Sequence, residues 1–208
     1  MHVVPAGPRG ATPLVLLEAG SFGFSADWAV VQQRLAARGL RSLAYDRAGM
    51  GLSAPGPSPR DGLAIAYDLE RLLAEAGEAG PYLLVGHSMA GLHNHLFAGR
   101  NRDRVLGLVL VDAITPLMAT DKAVSRRAAH YRRFARAASA VAQAGLLRPF
   151  SAWGDTIGLA GAARAHKRWA FADARPTGPR PRRSSIGRPR SARRWPSVRS
   201  IRPGPSRW

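Results

Sequence analysis

Short apolar runs alternate along the chain with longer stretches whose apolar positions recur at helical spacing. Pro13 to Glu18, "PLVLLE", ends in "AGSFG" and reads as a strand buried on both faces that feeds a glycine-containing turn. "ADWAVVQQRLAARG" follows, with Trp28, Val31 and Leu35 at helical spacing and Gly39 as its stop. "LRSLAYD" returns to strand character and runs into a loop rich in Gly and Pro, "RAGMGLSAPGPSPR". Asp61 to Ala76 is amphipathic through Leu63, Ala66, Leu69, Leu72 and Leu73, with Asp61 placed to cap it. "PYLLVG" and "VLGLVLVD" are two further apolar runs of strand length, separated by the helix that starts after Ser88. Strands apolar throughout and alternating with helices predict an α/β fold, an open, mostly parallel sheet with helices on both faces. In such sheets ligands bind beyond the carboxyl ends of the strands, where Ser21, Asp46, Ser88 and Asp112 all fall.

Charge changes this picture only in the second half. Up to Asp121 ten basic residues face eleven acidic ones, from Lys122 to Ala174 ten face two, and from Arg175 onward eleven arginines face none. The net charge of +18 therefore belongs to the C-terminal half. Lys122 to Ala144 keeps roughly helical spacing and reads as a basic amphipathic helix, whereas 175–208 is Arg, Pro, Ser and Gly without period and is expected to be disordered. Three segments result: a core at 1–116, a helical cap-like segment at 117–174 and the tail at 175–208. The absence of cysteine excludes disulfides and thiolate metal sites. No leader pattern and no membrane-length apolar run is present, so a cytoplasmic protein is expected.

The chemistry centres on "LLVGHSMAGL". An alcohol is a poor nucleophile at neutral pH and needs a base to take its proton and donors for the oxyanion it creates. Gly86 and Ala90, two residues either side of Ser88, allow the sharp strand-to-helix turn that pushes a hydroxyl outward. The Met89 amide then points where negative charge would develop, at the positive end of the following helix. Ala90 departs from the glycine usual at that place and is small enough to fit the same packing.

Four blocks, "LLEAGSFG", "AYDRAGMGLS", "LLVGHSMAGL" and "LVLVDAITP", give the region from His2 to Pro116 a clear identity: it resembles the α/β-hydrolase fold superfamily, in its lipase, esterase and haloperoxidase-like branch. The resemblance implies Ser88 as nucleophile, the amides of Met89 and Ser21 as oxyanion hole, with Gly20 the neighbouring choice, and an acyl-serine intermediate formed from an ester, thioester or lactone. Ala19 stands where many relatives carry histidine. Serine at the elbow argues against the dehalogenase and epoxide hydrolase branches, which place aspartate there. A small-molecule acyl substrate is expected, with no cofactor and no metal, because the histidines lack ligand spacing with carboxylates.

The remaining groups are harder to place. Asp112, at the end of the last apolar run, is the candidate acid; the base stays unassigned, with His130 and His166 the histidines downstream. Asp46 reads as a turn residue, His87 as part of the elbow, and His93 and His95 as helix residues. The tail is expected to be an aberrant continuation of a longer hydrolase reading frame, leaving "VLGLVLV" as an unprotected edge in an aggregation-prone chain that lacks the catalytic histidine. The alternatives are a non-catalytic hydrolase fragment, or an anion- or nucleic-acid-binding protein whose tail arginines neutralise phosphates while Trp195 and Trp208 stack on bases. No nucleic-acid fold accompanies that charge, so nucleic acid is not the expected partner.

Overall fold

A computed structural model describes residues 1–9, 13–123, 126, 130, 133–134 and 159–172. Five strands form one sheet: β1 (Val3–Ala6), β2 (Leu14–Glu18), β3 (Ser42–Tyr45), β4 (Tyr82–His87) and β5 (Val105–Val111), in the order β1-β3-β2-β4-β5. β3, β2, β4 and β5 run parallel, and β1 lies antiparallel to β3 with Val3 opposite Tyr45. The helices are α1 (Ala29–Ala36), entered through a 3-10 turn at Ser25–Trp28, then α2 (Gly62–Glu75), α3 (Ala90–Arg100), a single turn α4 (Pro116–Ala119), and α5 (Gly161–Ala172).

Successive strand residues point to opposite faces, so each apolar strand feeds two cores. Leu14, Leu16, Leu43, Tyr45, Tyr82 and Leu84 pack on one side against Ala66, Leu69, Leu72 and Leu73 of α2 and Phe97 of α3. Val15, Leu17, Ala44 and Val85 pack on the other side with Trp28. The expected α2 face is the buried one except at its first turn, where Leu63 is exposed. Asp61 caps that helix, its Oδ1 accepting from the Ala64 amide at 2.9 Å.

One expectation differs from the structure. In α1 the buried residue is Gln32, whereas Val31 is exposed, because the Gln32 amide reaches inward to donate to the Val4 carbonyl at 2.8 Å and lies 3.3 Å from Ser42 Oγ. A polar side chain buried at a helix–sheet junction is stable when hydrogen-bonded, and hydropathy spacing does not register that. Leu106, Leu108, Val109, Leu110 and Val111 of β5 are exposed, and among the described strands β5 pairs only with β4, so "VLGLVLV" stands at an edge as expected. The segment at 175–208 and most of 124–158 lie outside the described residues. No described helix is long and apolar enough to cross a membrane.

Candidate functional site

β4 delivers Ser88 to the carboxyl edge of the sheet, and α3 begins two residues later. Ser88 has φ 55°, a left-handed conformation that a side chain adopts at a cost of about 1–3 kcal/mol when surrounding packing holds it there. The packing is visible: the Ser88 amide donates to the Val111 carbonyl at 3.2 Å, and its own carbonyl accepts from Ile114 at 2.9 Å and Gly91 at 3.1 Å. The elbow is thus tied to β5 and to the residues after it. Gly86 admits no side chain, since a Cβ there would meet the Asn94 side chain at 2.6 Å and the Ala90 backbone at 3.1 Å. Ala90 itself is fully buried, so the methyl in place of the usual glycine is accommodated.

Gly20, at the end of β2, faces the elbow. A Cβ on it would lie 2.9 Å from His87 Nδ1 and 3.1 Å from Ser88 Cβ. Ser21 follows it, half-buried, and among the described residues neither the Ser21 amide nor the Met89 amide donates to an internal acceptor.

A buried polar network that the sequence did not suggest holds this loop from behind. The Arg47 guanidinium donates to the Ala19 carbonyl, to the Gly20 carbonyl at 2.6 Å and to the Ser21 carbonyl at 3.4 Å, and pairs with Glu18 at 3.3 Å. Glu18 also meets His93 Nδ1 at 2.6 Å. Asn94, with its amide oriented to satisfy both neighbours, donates to Glu18 Oε2 at 3.2 Å and accepts from the Gly86 amide at 3.2 Å. Burial, reinforced by the Glu18 carboxylate, pushes the Tyr45 phenol well above its usual pKa. The available signal was a charged residue closing an otherwise apolar strand: Glu18 in "PLVLLE" needs a buried cation, and Arg47 is the one the fold brings to it.

The sequence-identified acid and histidines do not assemble around Ser88. Asp112 is exposed, with φ 44° at the end of β5. His130 is exposed, and its Nδ1 lies 3.1 Å from the Arg126 carbonyl. His95 Nδ1 lies 2.6 Å from the Gly91 carbonyl one turn back, and His87 is exposed at the mouth of the elbow. His166, on α5, lies 3.3 Å from Asp46 Oδ2. Because β2 separates β3 from β4, Asp46 stands about two interstrand spacings, ~10 Å, from the elbow. Asp46 is occupied with its own loop: Oδ1 accepts from Ser25 at 2.7 Å and Oδ2 from Leu52 at 2.9 Å. Gly51 makes that loop possible, since a Cβ there would fall 2.3 Å from Asp46 Oδ2. Burial pushes the Asp46 carboxyl up, but the His166 imidazole and the Leu52 and Ser25 amides outweigh it and hold the group at about 2.

A family model described as alpha/beta hydrolase fold matches residues 13–152. A probable transporter of Hormonema carpetanum is 34% identical over 116 residues, which are 53% of this chain and 16% of that protein. An AB hydrolase superfamily protein of Gibberella zeae is 32% identical over 114 residues, 51% of this chain and 35% of that protein. The chain thus spans well under half of the length of either relative. Among solved structures, a thermophilic esterase from Thermogutta terrifontis superposes with a TM-score of 0.59 over 84% of this chain and 62% of its own, at 24% identity.

Proposed function

The chain belongs to the alpha/beta hydrolase fold family, and we propose that it carries the nucleophile site of a serine hydrolase, with Ser88 attacking an ester, thioester or lactone carbonyl. The observation that carries this reading is Ser88 itself, a non-glycine residue at φ 55° between a buried strand and a helix. Such strain is retained where the surrounding structure imposes it, and here the Ser88 Cβ stands beside Gly20. The Met89 and Ser21 amides are the proposed oxyanion donors, and both lack a competing internal acceptor among the described residues. In the reaction the Ser88 oxygen gives up its proton and bonds to the acyl carbon, the carbonyl oxygen takes the negative charge against these amides, and collapse of that oxyanion breaks the C–O or C–S bond, the freed alcohol or thiol group taking the proton that Ser88 gave up. Water then cleaves the acyl-serine and restores the hydroxyl.

A second reading, a non-catalytic hydrolase fragment, has its own support. His166 sits against Asp46 and His130 against the Arg126 carbonyl, so neither downstream histidine contacts Ser88. Labelling of the folded chain with a fluorophosphonate probe, compared with Ser88→Ala, separates the two. Stoichiometric labelling lost in the variant supports the hydrolase. Folded protein that takes up no probe supports the fragment and overturns the first reading.

A further inference from the structure

The tertiary structure gathers three metal-ligating side chains away from Ser88, on elements far apart in sequence. His2 precedes β1, Asp46 follows β3, and His166 sits in the middle of α5; one ring nitrogen of each histidine and a carboxylate oxygen lie within 4.8 Å of one another. The geometry points to a divalent transition-metal site, occupied by zinc, that clasps α5 onto the sheet. It does not depend on the reading of Ser88.

Three features support the assignment. First, the Asp46 side chain is fully buried and that of His166 is 12% exposed, so the donors face protein rather than solvent. Second, among the described residues His166 Nε2 is buried without an aligned hydrogen bond, its contact being the ion pair with Asp46 Oδ2 at 3.3 Å. A buried ring nitrogen in that position is unfavourable unless an aligned partner satisfies it. Third, the carboxylate has capacity to spare, since two oxygens offer about four acceptor directions and the Ser25 and Leu52 amides use two. Two imidazoles and one carboxylate suit Zn²⁺, Co²⁺ or Ni²⁺ and not Ca²⁺ or Mg²⁺, which prefer all-oxygen shells. Bond lengths of ~2.0–2.2 Å place donors sharing one ion within about 4 Å of each other, which the His166–Asp46 pair at 3.3 Å already meets and a wider pair reaches by a small contraction. Side-chain rotation supplies that contraction: the two rings meet edge to face at 5.2 Å, and among the described residues neither ring is hydrogen-bonded to another group.

The mechanical consequence follows from what each donor is attached to. The His2 amide already bonds Ser53 Oγ at 2.8 Å, and the Asp46 amide bonds the His2 carbonyl at 3.0 Å, so β1 and the loop after β3 form one unit. Lys167, next to His166, pairs with Asp27 at 2.5 Å. A metal at the three donors adds a coordinate link between α5 and that unit, beside the Lys167–Asp27 pair and the His166–Asp46 contact.

The test uses the untagged full chain, stripped with a chelator and titrated with Zn²⁺ by calorimetry, with Co²⁺ as the spectroscopic stand-in. The expected result is one equivalent of Zn²⁺ that raises the melting temperature, with Co²⁺ giving visible absorption. Both weaken by more than about tenfold in His2→Gln and His166→Gln and persist in Ser88→Ala. Absence of saturable binding overturns the inference. So does binding that survives His166→Gln, since the Met1 amine with His2, or surface histidines, then holds the ion. X-ray absorption at the zinc edge of the unmutated protein gives a reading that no folding defect affects: a shell with two imidazoles agrees, and one with none or a single imidazole overturns it.

Discussion

Replacing Arg47 with methionine keeps much of the side-chain volume and removes the charge that binds the Ala19–Ser21 loop. The Arg47 side chain is 8% exposed and its partner Glu18 2% exposed, so solvent screens the pair little. Removing one partner of a buried pair costs about 3–5 kcal/mol, because the other is left charged in a poor solvent. His93, 2.6 Å from Glu18, offsets part of this and argues for the lower end of that range. The Ala19 and Gly20 carbonyls lose charged donors as well, each such bond worth about 1.5–3 kcal/mol and not additive with the pair. A loss of about 3 kcal/mol is therefore expected for Arg47→Met, read from urea unfolding followed by far-ultraviolet circular dichroism. Arg47→Lys is expected to recover only part of it, since one ammonium cannot serve Glu18 and two carbonyls with the geometry of a guanidinium fork. Fluorophosphonate labelling of Ser88 in the folded Arg47→Met protein should slow, because the guanidinium turns the loop carbonyls inward and leaves the Ser21 amide outward. A loss below about 1 kcal/mol, within the range of an ordinary surface change, would refute the argument that this network holds the loop.

Two further expectations follow from burial. Tyr45 has its phenol pushed well above the usual value by burial and then by Glu18, so at alkaline pH the unfolded chain ionises there and the folded one does not. Stability should accordingly fall as pH rises above about 10, the pKa of a free phenol, and Tyr45→Phe should flatten that limb in denaturant titrations; an unchanged slope counts against it. The β5 edge, with Leu106 65% exposed, should make the chain self-associate as its concentration rises. Light scattering should drop for Leu106→Lys, and an unmutated protein that stays monomeric at every concentration contradicts the edge argument.

Fluorophosphonate labelling and the zinc titration address separate regions, since Asp46 and Ser88 lie on strands with β2 between them. Loss of one result leaves the other standing.

What the sequence by itself determined was local. The apolar runs became β2 to β5, Asp61 capped α2, and "GHSMA" built the elbow, because each depends on residues within a few positions of one another and on backbone sterics. Even there, Gln32 in place of Val31 on the buried side of α1 was decided by the Val4 carbonyl, which belongs to a strand elsewhere in the chain. The partners of Glu18, the clamp of Arg47 on the Ala19–Ser21 loop, and the meeting of His2, Asp46 and His166 were decided only by the tertiary structure. Strand order is the physical reason. Placing β2 between β3 and β4 brings the ends of β2 and β3 together under Arg47, and the antiparallel β1 carries His2 to the end of β3. Those juxtapositions depend on which strand lies beside which, and spacing along the chain carries no record of that.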